Sequence, residues 1–374
     1  MYKNALELHN YAAVYERRTM KTQRIHLDRI SSATRNAGLA WDVTVGSTVV
    51  AKEGYVVAVR ICNNKYTYNT VEDITGRMLP LHQGDILAGV LGSRRALRGY
   101  AGEVPRRVKV GDVLHVLNLG GVLGHCTAIN PELGPPFDAE VLGAILTFPH
   151  FGDRVGEPAH IRHGAIPHGT KLTCDCPVVY VAGTCMNSGK TLAATEIIRY
   201  LTHKGLKVAA CKMTGVSLMR DTLGMQDGGA FAIASFNDAG LASTRGEEVV
   251  SVAKGLLNHL AAQEPDVIIA ELGDGILGEY GVADLLHDRE LMGVACCHVV
   301  CAPDPVAVFG AHHYYTHHFH LPIHVVTGPV TDNSVGRDYI EGALKLPAHN
   351  ARYDIKGLAE IVRRRIGHHD PEET

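Results

Sequence analysis

Apolar and polar residues follow two different rhythms along this chain, and the change falls near residue 170. Before it, short β-rich runs over 42–50, 55–62, 85–90 and 112–117 alternate with Gly, Asp and Asn. Such runs predict strands, and their density predicts a small all-β or α+β domain. After it, apolar runs alternate with stretches of helical periodicity. Strands are predicted over 177–182, 207–211, 266–270, 295–302 and 323–327, and helices over 189–204, 228–236, 247–262 and 305–319. Strand–helix alternation of this kind predicts a doubly wound, mostly parallel α/β sheet with its ligand at the carboxyl ends of the strands. The expected organisation is therefore a smaller β-rich N-terminal domain over 1–170, with a substrate or dimer role, and an α/β domain over 171–374. Residues 149–176, rich in Pro, Gly and His, read as the linker, and the polar tail 368–374 as a frayed end.

Within the first half there is a faint echo. Gln83-Gly84-Asp85-Ile86-Leu87 is matched by Val110-Gly111-Asp112-Val113-Leu114, and each leads on to a Gly-flanked apolar run. A Gly-Asp turn feeding an apolar strand suits a small barrel.

Composition narrows the function classes. The 36 basic residues are offset by 39 acidic ones, which leaves no basic excess to attract nucleic acid or an anionic membrane. Aromatics are only 6%, with one tryptophan, Trp41, which disfavours a base-stacking surface. No apolar run approaches the roughly 18 residues of a membrane helix. Residues 1–18 lack the basic-then-apolar order of a secretory signal. The nine cysteines, several in apolar runs, read as reduced core thiols of a cytoplasmic protein.

The strongest chemical signal is Gly183-Thr184-Cys185-Met186-Asn187-Ser188-Gly189-Lys190-Thr191, a full G-x-x-x-x-G-K-[ST] between a predicted strand and a predicted helix. The glycines let the backbone curl so that successive N–H groups face one anion, and the helix N-terminus adds partial positive charge. Gly183, Thr184, Asn187, Ser188 and Gly189 thus form the expected cradle. Lys190 reaches the outer phosphates and Thr191 ligates Mg²⁺. The fold class becomes a P-loop α/β domain.

Further charged residues fall at the predicted strand ends, where the ligand must lie. Lys212 ends the second strand, suited to neutralising a transferring phosphoryl group; an exposed strand-end lysine is the plain alternative. Asp227 precedes Gly228-Gly229 and reads as a helix N-cap or a magnesium ligand, with Asp221 as the fallback. Glu271 ends the buried run 267–270. A carboxylate there is costly unless paired or bound to metal, which favours a Walker-B role. Asp274 is equally a second acid or a turn residue. After the fifth strand, Asp332 or Asn333 is placed to meet a nucleotide base, although Gly-Pro-x-x-Asp-Asn is also ordinary loop chemistry.

This set resembles dethiobiotin synthetase and, more broadly, the MinD-like and signal-recognition-particle-like P-loop NTPases, over roughly 177–345. It consists of the Gly-Thr-x-x-x-x-Gly-Lys-Thr loop, a lysine ending the next strand, a later Asp and a Glu-x-Gly-x-Gly strand end. The resemblance implies that Lys190, Lys212 and Glu271 are catalytic and that Thr191, Asp227 and Glu271 hold the metal. It also implies ATP and Mg²⁺ as cofactors and a homodimer. The sequence departs from that family where Lys-Pro becomes Lys212-Met213 and Glu-Gly-Ala-Gly-Gly becomes Glu271-Leu272-Gly273-Asp274-Gly275, and where a whole N-terminal domain is added.

The expected activity is an ATP-dependent ligase that phosphorylates a carboxylate or carbamate for C–N bond formation on a small, amino-acid-like and possibly acidic metabolite. One alternative is a nucleotide switch or metallochaperone acting through partner binding; another is a coenzyme A-dependent transferase. Arg94, Arg95 and Arg98 offer either an acid-binding cluster or a solvated face. Of the 22 histidines, His312, His313, His317, His318 and His320 crowd one predicted helix, with His313 and His317 four apart. They read as a solvated or packed helix, or as metal ligands. His298 reads as a core histidine. Cys174 and Cys176 are a weak metal pair, and Cys185 a tolerated loop residue.

Overall fold

A computed structural model describes residues 21–150, 152 and 155–367; the readings of residues 1–18 and 368–374 lie outside the described residues. The chain divides into two compact units, one running to Ala165 and taking in Gly240–Ala242, the other made of Ile166–Ala239 and the chain from Ser243.

The first unit is β-rich. Its centre is β1 (Val56–Ile61), β2 (Ile86–Leu91), β3 (Val113–Val116), β4 (Val122–Ala128) and β5 (Asp138–Thr147). β5 pairs antiparallel with β1, and β1 with β2. β2 runs parallel to β4, and β3 pairs antiparallel with both β4 and β5, so the ring closes. Closure leaves these five strands no free edge. Val57, Val59 and Ile61 of β1 meet Leu87 and Leu91 of β2, Leu114 and Val116 of β3, and Ala139 and Val141 of β5 in one buried cluster. Apolar side chains two residues apart share a sheet face, which is how such short strands fill a core.

The sequence echo is a structural one. Ahead of β2, the Asp85 carboxylate accepts from His82 N–H at 3.0 Å while Asp85 N–H donates back to the His82 carbonyl at 3.1 Å. Ahead of β3, Asp112 accepts from Lys109 N–H at 2.8 Å and donates back to the Lys109 carbonyl at 3.1 Å. Gly84 (φ +99°) and Gly111 (φ +89°) both occupy the left-handed region such a turn needs.

The second unit is an all-parallel, six-stranded sheet. Its main elements in chain order are β6 (Val178–Gly183), α1 (Lys190–His203), β7 (Val208–Thr214), α2 (Arg220–Asp227), β8 (Ala232–Ser235), α3 (Glu248–Ala261), β9 (Val267–Leu272), β10 (Ala295–Cys301), α4 (Pro305–Tyr314), β11 (Val325–Thr327) and α5 (Ile355–Ile366), with shorter helices between them. The strand order is β8-β7-β9-β6-β10-β11. β6 and β9 are buried along their whole length, as expected of central strands covered on both faces. α1 contributes Ala193, Ala194, Ile197, Ile198 and Leu201 to the core, and α5 Leu358 and Val362.

Two expectations need correction. No helix forms over 228–236; α2 comes earlier and Gly228-Gly229 ends it. Gly228 N–H donates to the Gly224 and Gln226 carbonyls, Gly229 takes φ +108°, and the chain turns into β8. The glycines were a stop signal that resembled a start. The helix expected over 305–319 is α-helical only to Tyr314 and continues as one π-turn, Tyr315–Phe319.

Candidate functional site

The loop between β6 and α1 is shaped as its sequence demands. Asn187 takes φ +62° and Gly189 φ +95°, and the chain enters α1 at Lys190. A Cβ on Gly183 would lie 2.2 Å from Ser188 Oγ, and one on Gly328 would lie 2.4 Å from the Ser188 carbonyl. Gly328, at φ +98° against backbone, therefore excludes a larger residue, and a side chain at Gly183 would have to displace Ser188 Oγ and the Lys190 stem. Lys190 lies inside the curl, its Nζ donating to the Cys185 carbonyl at 2.9 Å and the Asp274 carbonyl at 2.5 Å. Thr184 is half-buried and Asn187 exposed at the rim. Ser188 Oγ is fully buried, and among the described residues no hydrogen bond reaches it.

Beside the loop lies a buried charged cluster. In register, Glu271 of β9 pairs with Val181 of β6 on one side and Lys212 of β7 on the other. Register neighbours project to the same face, so Lys212 and Glu271 both face α1. Thr191 Oγ1 donates to Glu271 Oε1 at 3.1 Å. Lys212 Nζ donates to Asp221 Oδ2 at the start of α2, an ion pair largely shielded from solvent. Burial raises the Glu271 pKa above the usual carboxylate range, and the Asp221 charge adds to this against the opposing pull of Lys212 and Lys190. Burial also works against charge on Lys212, but Asp221 and Glu271 more than reverse it and its pKa is raised. Asp221 is held below the ordinary range because Lys212 outweighs its own burial.

Glu271 Oε2 is buried, and among the described residues it has no hydrogen-bond partner. An orphaned carboxylate oxygen beside a threonine hydroxyl fits a hard cation such as Mg²⁺. Asp227 does not share this cluster. It lies exposed at the C-terminal end of α2, and the carboxylate that meets the lysine is Asp221, six residues earlier in the same helix. The misread helix start accounts for the displacement.

The edge loop after β11 packs on the phosphate loop through Gly328, but its polar side chains have local duties. Asn333 caps the helix Ser334–Tyr339 by accepting from Val335 N–H at 3.0 Å. Asp332 accepts from Asn350 Nδ2 at 2.9 Å. Asn350, which sequence reasoning missed, is buried and also holds Thr331 Oγ1 and the N–H groups of Arg352 and Tyr353. No local motif marks it, because its partners are up to nineteen residues away.

In the first unit, Arg94 is no free anion-binding cation. It is buried and donates to Tyr68 Oη at 3.0 Å and to the Leu117 carbonyl. Arg95 lies 3.5 Å from Glu103. All nine cysteines are free, and burial pushes Cys176 up to about 12. Among the described residues, no group of three or more His, Cys, Asp or Glu side chains converges as a metal site. No described helix is long and apolar enough to cross a membrane.

The second unit has a P-loop α/β fold. The strand–loop–helix carrying Lys190 and Thr191 sits at the centre of a parallel sheet, and the strand bearing Glu271 is its direct neighbour. No protein-family model and no curated protein matches the sequence. Among solved structures, the chain is similar to the signal recognition particle receptor FtsY from Elizabethkingia anophelis (16% identity, 54% of this chain and 68% of that one, TM-score 0.37). It is also similar to hydrogenase maturation factor HypB from Archaeoglobus fulgidus (11%, 51% and 91%, TM-score 0.35). A DUF1611 family protein from Anabaena variabilis matches at 14% identity over 55% of this chain and 64% of that one, TM-score 0.39.

Proposed function

We propose that the second unit binds a magnesium-complexed nucleoside triphosphate in the 183–191 loop and hydrolyses it, working as a nucleotide switch read by a partner. The observation that carries this is the orphaned, buried Oε2 of Glu271 beside Thr191, a vacant oxygen ligand next to a ready-made anion cradle. Thr191 and Glu271 would hold Mg²⁺, with Asp221 the nearest further carboxylate. Bound there, the ion supplies charge neutralisation at the outer phosphates. Lys190 exchanges its two carbonyl partners for phosphate oxygens. Lys212 and Asp221 neutralise each other, so Lys212 is less available to a separate acidic substrate than a ligase would require.

The base is proposed to be guanine. Asn350 fixes one oxygen of the Asp332 carboxylate, and a carboxylate can accept from both the ring N–H and the amino group of guanine, a donor pair that adenine lacks. A C–N ligase remains the second reading. It is supported by Lys212 and Glu271 sharing the face that carries Lys190.

Calorimetry with GTP and ATP in Mg²⁺, together with phosphate release, tests this. GTP is expected to bind more tightly, and Lys190→Ala to lower turnover by about 100-fold or more, the scale of losing one charge-stabilising donor. Absence of triphosphate binding in Mg²⁺ would overturn the reading. Stimulation of turnover by an amino-acid-like carboxylate, in place of a protein partner, would move the function to the ligase.

A further inference from the structure

Lys190 already holds partners where a phosphate would supply them, and one of them comes from outside the phosphate loop. Its Nζ donates to the Cys185 carbonyl and to the Asp274 carbonyl. Asp274 belongs to residues 273–281, which connect β9 to the helix Val282–His287. This segment lies directly on the loop. Ile276 N–H donates to the Gly183 carbonyl at 2.9 Å. A Cβ on Gly275 would lie 2.8 Å from the Thr184 carbonyl oxygen and 3.2 Å from Cys185 Cα, so the two backbones touch with no room for a side chain between them. On the other side, Thr214 Oγ1 donates to the Gly273 carbonyl.

We propose that residues 273–276 form an autoinhibitory strap that competes with the outer phosphates for Lys190. This rests on triphosphate binding in the 183–191 loop. An ammonium has three N–H groups, and the strap's carbonyl takes one that a phosphate oxygen needs. A phosphate oxygen carries charge and makes the stronger bond, so on binding it displaces the carbonyl and the strap moves off the loop. The strap is the part that yields. Four of residues 273–281 are glycine, whereas the phosphate loop is fixed between β6 and α1. Affinity is then the intrinsic affinity reduced by the fraction of molecules whose strap is open. Contacts that hold the strap closed weaken nucleotide binding, and the strap's position registers whether the outer phosphate is present.

Calorimetry of the full-length protein with non-hydrolysable GTP and ATP analogues in Mg²⁺ tests this. Two substitutions weaken the closed strap without altering Lys190: Gly275→Ala forces the two backbones apart, and Thr214→Val leaves the Gly273 carbonyl without its donor. Each should bind the better analogue more tightly than the wild type, by about threefold or more, the scale of one hydrogen bond removed from the competing state. A segment that merely braces the loop predicts the opposite sign, so equal or weaker binding by both variants overturns the proposal. The wild type supplies a readout that needs no variant to fold. On saturation with the analogue, amide hydrogen exchange should rise in a peptide covering 273–281 and fall in one covering 183–191. Binding without a rise over 273–281 overturns the strap and leaves the nucleotide reading standing. Binding of neither analogue by the wild type removes that reading, and the strap with it.

Discussion

Carboxylates in the two units do opposite work. In the barrel, Asp85 and Asp112 spend their oxygens on backbone N–H groups three residues away, closing the turns that start β2 and β3. In the sheet, Glu271 gives one oxygen to Thr191 and leaves the other buried with no hydrogen-bond partner among the described residues. The first arrangement lowers the free energy of the fold. The second raises it, because a buried acid without full partnering favours its neutral form. A residue that costs stability where it stands is a candidate for ligand chemistry, and one that repairs local backbone is not.

Glu271→Gln is the sharpest way to break this contrast. The amide keeps the shape and removes the charge. Mg²⁺-dependent turnover should fall by about 100-fold or more, while the urea midpoint at neutral pH stays level or rises. The sign follows from the raised pKa of Glu271. The folded protein holds that proton above the pH at which the unfolded chain releases it, so stability falls as pH rises through that window, and Gln removes the loss. A marked fall in stability with turnover intact would make Glu271 a structural residue like the two aspartates.

His298 gives the next largest effect and tests burial within the same sheet. Its ring lies on β10 between those of Tyr180 and His324, stacked at 5.9 Å from each. Burial, with a smaller push from His324, lowers its pKa to about 4. The folded state keeps it neutral while the unfolded chain takes up a proton below about 6.5. Stability is therefore lost as pH falls from about 6.5 to about 4, by about 3 kcal/mol in total. His298→Phe preserves the stack and should flatten most of that slope. Denaturant titrations at pH 7 and pH 4.5 measure it, and an unchanged slope would show that other groups set the acid sensitivity.

What could be read from the sequence follows from range. The phosphate loop, α1, α3 and the buried strands rest on local pattern, and each appears within a few residues of its expected place. The Gly-Asp echo was legible for the same reason, its contacts spanning three residues. Two features were not legible, and a third, Asp221, was legible only as the fallback to Asp227. Gly228-Gly229 punctuates either end of a helix equally well until the partners of Gly228 N–H are known. Asp221 rather than Asp227 meets Lys212 because α2 begins at Arg220, a boundary without a capping residue: its N-cap, Met219, offers no side-chain bond. Asn350 organises the Asp332 loop from a distance that no local motif records.

The smallest expected effect probes the barrel side of the contrast. Asp85→Ala and Asp112→Ala each remove a carboxylate that accepts one backbone N–H in a similar turn; Asp85 is half-buried and also lies 3.7 Å from Arg29, whereas Asp112 is exposed. Each should cost about 1 kcal/mol, the usual worth of such a side-chain-to-backbone bond. Apart from the Arg29 ion pair, worth little at a partly exposed site, the two losses should be similar, because the turns share the same reciprocal pair of bonds and the same left-handed glycine. Nucleotide turnover should not move in either variant. Unequal losses would mean that the repeated sequence carries different loads in the two turns. A fall in turnover that exceeds the fall in stability would mean that the barrel's carboxylates serve the site after all, and the division of labour between the two kinds of acid would not hold.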